Sequence, residues 1–151
     1  MEIRKILVPV DGSPATRMVV EWACHFAKTF GSELLLLHVV SIPPVSDVGG
    51  IQVAAKELEE AGQSILHSAV KTAEEMSVSP TTLLDFSVGN AGMRIVQLAK
   101  ERSVDMIVIG ARGQSRIRAL LMGSVANSVV NNAPCPVFVV RPCPDQETSG
   151  Q

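Results

Sequence analysis

Five short strand-like runs recur along this chain, with helix-length amphipathic segments between them: Ile3–Val10, Glu33–Val40, Thr81–Val88, Asp105–Ile109 and Val137–Arg141. Most of them are near-continuous in branched aliphatics, the pattern of strands covered on both faces, which is typical of parallel sheets. Parallel neighbours need a crossover of a dozen or more residues, usually a helix. The alternation therefore predicts an α/β fold: one domain, built on an open five-stranded parallel sheet with right-handed crossovers and helices on both faces.

The segments between the runs carry helix signals. Ser13 suits an N-cap and Pro14 a first helical position, ahead of a stripe of Met18, Val19, Trp22, Ala23, Phe26, Ala27 and Phe30 that ends at a capping Gly31. Ile42 to Gly50 reads as a loop, and a long second helix as Ile51–Met76, with Ala54, Leu58, Ala61, Ile65, Leu66, Ala69, Ala73 and Met76 on one side and Gly62 as a weak point. Gly89-Asn90 turns into a third helix carrying Ile95, Leu98 and Ala99. A fourth, Ser124–Asn132, is expected to turn Val125, Val129 and Val130 inward. With 46% hydrophobic residues but only four Phe, one Trp and no Tyr, the core must be aliphatic. The domain is expected to span 1–142, with 143–151 a disordered polar tail.

Several classes of function lose support at once. A net charge of −2 gives no global attraction for nucleic acid or membrane surfaces. The longest apolar runs, such as Leu34–Leu37, are far too short to span a bilayer. Met-Glu-Ile-Arg-Lys enters the first strand without a signal-peptide pattern, and Cys24, Cys135 and Cys143 form no CxxC pair, so a reducing cytoplasmic setting is expected. His25 and His67 have no partners at metal-ligand spacing. His38, in an apolar strand, reads as a packed, hydrogen-bonded core residue rather than a base.

Sheets of this kind bind ligands beyond the carboxyl ends of their strands, where the strand order reverses. The loop after strand four stands apart there: Gly110-Ala111-Arg112-Gly113, nine residues, then Gly123-Ser124-Val125, or G-x2-G-x9-G-S. Gly110 and Gly113 permit close backbone approach, and Gly123-Ser124 opens a helix whose unpaired N–H groups suit a phosphate. Arg112, Arg116 and Arg118 can supplement them. The same residues also read as turn glycines and a serine cap, and Asp11 likewise reads either as a ribose acceptor or as a turn-forming aspartate. Neither a Walker-type phosphate loop nor a G-x-G-x-x-G after strand one is present.

Taken together, Pro9-Val10-Asp11-Gly12-Ser13, Leu37-His38-Val39, G-x2-G-x9-G-S and Ala133-Pro134-Cys135-Pro136-Val137-Phe138-Val139-Val140 resemble the universal stress protein family over residues 2–142. The glycine spacing is similar to that of its ATP-binding branch. The resemblance implies strand order 3-2-1-4-5. It puts Pro9, Val10 and Val39 around adenine, Asp11 near ribose, and Gly110, Gly113, Gly123, Ser124 and Val125 at the phosphates, with Ile109 at a strand-end position. Gly89 and Asn90 would border the same pocket. It also implies a homodimer through the edge strand Val137–Arg141, where an apolar edge invites pairing.

ATP held as a sensor or switch is the leading expectation, with AMP or cyclic AMP sharing the base and ribose contacts and Mg²⁺ or Mn²⁺ entering with the phosphates. Hydrolysis would need a base or water-positioning group. Between Gly110 and Ser124 there is no Asp, Glu or His, and only Gln114 to orient a water. Adenylate-forming chemistry is disfavoured by Asp-Gly-Ser-Pro where a Ser-Gly-Gly-rich loop would stand. A nucleotide-independent adaptor is the remaining alternative.

Overall fold

In the computed structural model, residues 1–43, 48–112 and 122–142 are described, with the backbone alone for 48–53. The elements run β1 (Lys5–Pro9), α1 (Thr16–Phe30), β2 (Glu33–Ile42), α2 (Val48–Glu75), β3 (Thr81–Val88), α3 (Ala91–Glu101), β4 (Met106–Gly110), α4 (Ser124–Asn132) and β5 (Val137–Val140). All pairings are parallel and the order is β3-β2-β1-β4-β5, as expected from the aliphatic runs and the family resemblance.

Period-two alternation divides the core between two faces. Ile6, Val8, Leu34, Leu36 and Val108 point toward α1 and α2, where they meet Val20, Cys24, Leu66 and Ala69. Leu7, Leu35, Leu37, Ile107 and Ile109 point the other way, onto Ile95, Leu98, Ala126 and Val129 of α3 and α4. Ile6, Leu7, Leu36, Leu37, Ile107 and Val108 are fully buried. Each such side chain contributes about 1.5–3 kcal/mol of transfer free energy, which makes the three middle strands the rigid platform for the loops at their carboxyl ends.

Several boundaries differ from the sequence expectation. Helix α1 begins at Thr16 with Ala15 as its N-cap residue, not at Ser13-Pro14. A turn intervenes, closed by Thr16 N–H on the Ser13 carbonyl at 3.0 Å. The α2 backbone is already helical at Val48, through Gly49-Gly50, where a loop was expected, and β5 stops at Val140. In α4 the buried pair is Ala126 and Val129, while Val125 and Val130 are 37% and 41% exposed. They sit one residue outside that pair on either side, beyond the narrow face a nine-residue helix turns to the sheet. Trp22, assigned to the inward stripe, is 42% exposed and packs at the rim against Phe26 and Phe138. The capping Gly31 takes the left-handed conformation at φ 68°. The tail 143–151 lies outside the described residues, and among those described no helix is long and apolar enough to cross a membrane.

Candidate functional site

Helices α1 and α2 cover one face of the sheet and α3 and α4 the other. Strands β1 and β4 are neighbours that send the chain to opposite faces, so a crevice must open between their carboxyl ends. A cavity of about 520 Å³ lies there.

On the β1 side it is lined by Pro9, Val10 and Asp11. The turn that follows is built around the Asp11 carboxylate: Oδ1 accepts the Ser13 N–H at 2.9 Å and the Thr16 hydroxyl at 3.2 Å. Gly12 permits it, with φ at 76°, and a Cβ there would sit 2.8 Å from Ile65 Cγ1. The turn-forming reading of Asp11 is therefore realised in a residue that also lines the cavity.

On the β4 side stand Ile109, Gly110 and Arg112, then Gly123, Ser124 and Val125 at the start of α4. A Cβ on Gly110 would lie 3.3 Å from Val19 Cγ2 and 3.4 Å from the Arg112 carbonyl, so bare backbone suits this wall. Gly123 N–H donates to the Ala111 carbonyl at 2.7 Å, and Ala111 N–H to the Val140 carbonyl at 2.9 Å. The start of α4 is thus tied through the end of β4 to the edge strand.

The two helices on this face start differently. Helix α3 is capped by Asn90, whose Oδ1 accepts the Gly92 N–H at 2.9 Å. Helix α4 has Gly123 at its N-cap, and no side chain caps it among the described residues. First-turn N–H groups facing a cavity without a cap are donors suited to an anion. Among the described residues, Arg112 is the one cation lining the cavity. The donor set fits a phosphate group at this end. No group of three His, Cys, Asp or Glu able to hold a metal occurs among the described residues, and at this end of the cavity those residues offer the first-turn N–H groups, the Ser124 hydroxyl and the Arg112 guanidinium.

Val39, also in the wall, sits beside His38, whose Nδ1 lies 2.7 Å from the Val10 carbonyl. Sequence reasoning missed the third wall, made by Leu58, Ala61 and Ile65 of α2 with Thr16 and Ser41. Those α2 positions share the apolar stripe that packs the core, and nothing in their spacing distinguishes a cavity wall from a core contact. Gly89 and Asn90 do not line the cavity. Asn90 is occupied as the α3 cap, and Ala91 stands in the wall instead. Gly113, Gln114, Arg116 and Arg118 lie outside the described residues.

Comparison with known proteins bears on the family and the fold. A family model described as "Universal stress protein family" matches residues 2–141. A universal stress protein of Methanocaldococcus jannaschii is 34% identical over 141 residues, covering 91% of this chain and 82% of that protein. Among solved structures, the universal stress protein UspA of Lactobacillus plantarum superposes with a TM-score of 0.83 at 25% identity, covering 93% of this chain and 99% of that one. A universal stress protein of Archaeoglobus fulgidus, solved in complex with dAMP, does so with a TM-score of 0.67 at 25% identity, covering 93% and 100%.

Proposed function

The chain belongs to the universal stress protein family, and from that premise we propose that its cavity holds an adenine nucleotide, with ATP occupancy acting as a switch. The observation that carries this reading is the pairing, across one crevice, of Asp11 with the uncapped start of α4. In this reading Pro9, Val10 and Val39 contact the base, Asp11 the ribose, and Gly110, Gly113, Gly123, Ser124 and Val125 the phosphates. Ile109 closes the strand end and Arg112 adds charge. A divalent Mg²⁺ or Mn²⁺ enters on the phosphates rather than on a protein cage.

Holding ATP is favoured over consuming it. No Asp, Glu or His occurs between Gly110 and Ser124 to activate a water, so any hydrolysis is slow. A second reading, a nucleoside monophosphate or its cyclic form as the resident ligand, is favoured by the dAMP complex of the Archaeoglobus relative. The protein in this proposal is a cytoplasmic homodimer that pairs through the β5 edge, its site carried by a domain over residues 1–142.

Thermal unfolding with ATP, AMP and cyclic AMP, each with and without Mg²⁺, tests the reading. A ligand at a hundred times its Kd stabilises the native state by about 2.7 kcal/mol. The expected result is a rise in Tm with at least one adenine nucleotide. An unchanged Tm with all three supports the nucleotide-independent adaptor instead.

A further inference from the structure

His38 stands where the β1–β2 ladder stops. The strands pair in register up to Pro9 opposite Leu37, and one further bond follows, from Val10 N–H to the Leu37 carbonyl at 2.8 Å. A continuing parallel ladder would next join the Val10 carbonyl to the N–H of Val39. That bond is absent among the described residues, and the carbonyl lies 2.7 Å from His38 Nδ1 instead. A carbonyl only accepts, so Nδ1 carries the proton and donates it. The imidazole is seated in a gap left for it, since a Cβ on Gly62 would lie 2.8 Å from its Cδ2. The ring is half-buried and lines the cavity beside Val10 and Asp11.

We propose that His38 is a positioning residue for the sugar end of the cavity. By taking the Val10 carbonyl, it ends strand pairing where the crevice opens and sets the peptide that delivers Asp11. The inference rests on the nucleotide reading above and deepens it. His38 acts through Val10 and Asp11, so its removal should be felt mainly by ligands that carry ribose hydroxyls.

Calorimetry with AMP and with 2′,3′-dideoxyadenosine monophosphate, on wild type, His38→Leu and His38→Asn, separates the possibilities. His38→Leu is expected to weaken AMP about tenfold, the scale of one lost hydrogen bond, and the dideoxy ligand by less than about threefold. His38→Asn, whose amide nitrogen takes the place of Nδ1, is expected to recover most of the AMP affinity. Where His38→Leu does not fold, His38→Gln replaces it: that amide nitrogen takes the place of Nε2, and the same selective loss is expected. Equal losses for both ligands, or no loss for either, overturn the inference while leaving the nucleotide reading intact. A wild-type protein that binds neither ligand overturns this inference, and one that binds no adenine nucleotide, ATP included, overturns the nucleotide reading with it.

Discussion

Asp11 Oδ1 governs how β1 hands the chain to α1, because the Ser13 N–H and the Thr16 hydroxyl both converge on it. A residue can thus be a turn former and a cavity wall at once, which is why two readings of Asp11 stood side by side in the sequence. Other single residues show how context settles what residue type leaves open. Gly62 reads as a flaw in a long helix until His38 and Leu84 are seen against it, each 2.8 Å from where its Cβ would be. Cys24 reads as a small buried hydrophobe and is one: its side chain is fully buried, and desolvation pushes the thiol up to about 11. The unfolded thiol ionises near 9.0 and the folded one near 11, so the native state keeps its proton longer. That contribution is intact below the unfolded value and is lost as pH rises from 9 to 11, to the extent of about 2–3 kcal/mol. Denaturant unfolding across this window, compared between wild type and Cys24→Ala, should show the steeper fall in wild type. Parallel curves would contradict it.

At the scale of elements, the cavity wall made by the starts of α3 and α4 stands where the two helices cross closely. Gly92 makes that crossing possible: a Cβ there would meet Ser128 Cβ at 2.7 Å and the Val125 carbonyl oxygen at 3.0 Å. Asn90 adds a side-chain link, donating from Nδ2 to Ser128 Oγ at 3.4 Å while capping α3 with its other end. Gly92→Ala should gain roughly 1 kcal/mol of helix propensity and lose more to overpacking, commonly about 1–3 kcal/mol, because a backbone oxygen has no rotamer to escape into. A net destabilisation in urea, with weaker nucleotide binding as α4 is pushed away, is the expected outcome. A stabilised protein would contradict the close crossing. The helices themselves were legible from their periodicity, but three of their details were not. The start of α1 depends on the Asp11 turn, the phase of α4 on which pair of residues meets the sheet, and the α3–α4 contact on two segments about 35 residues apart. Local pattern carries none of these.

For the molecule as a whole, the sheet was the most legible feature. Buried parallel strands advertise themselves as aliphatic runs, and the family resemblance supplied their order. The cavity was half legible. Its β1 and β4 walls follow from the switch point and the glycine spacing, whereas the α2 wall of Leu58, Ala61 and Ile65 exists only once the helix is laid over the sheet. The aromatic rim of Trp22, Phe26 and Phe138 likewise joins α1 to the edge strand in a way their positions in sequence do not announce. All these parts bear on one claim, that the crevice between β1 and β4 is a nucleotide site. Isothermal calorimetry of the wild-type protein with ATP, with GTP as the control, tests that claim most directly. One adenine nucleotide per chain, bound with clear preference over GTP, is the predicted result. No heat of binding from ATP, nor from AMP or cyclic AMP, at millimolar concentration would contradict it.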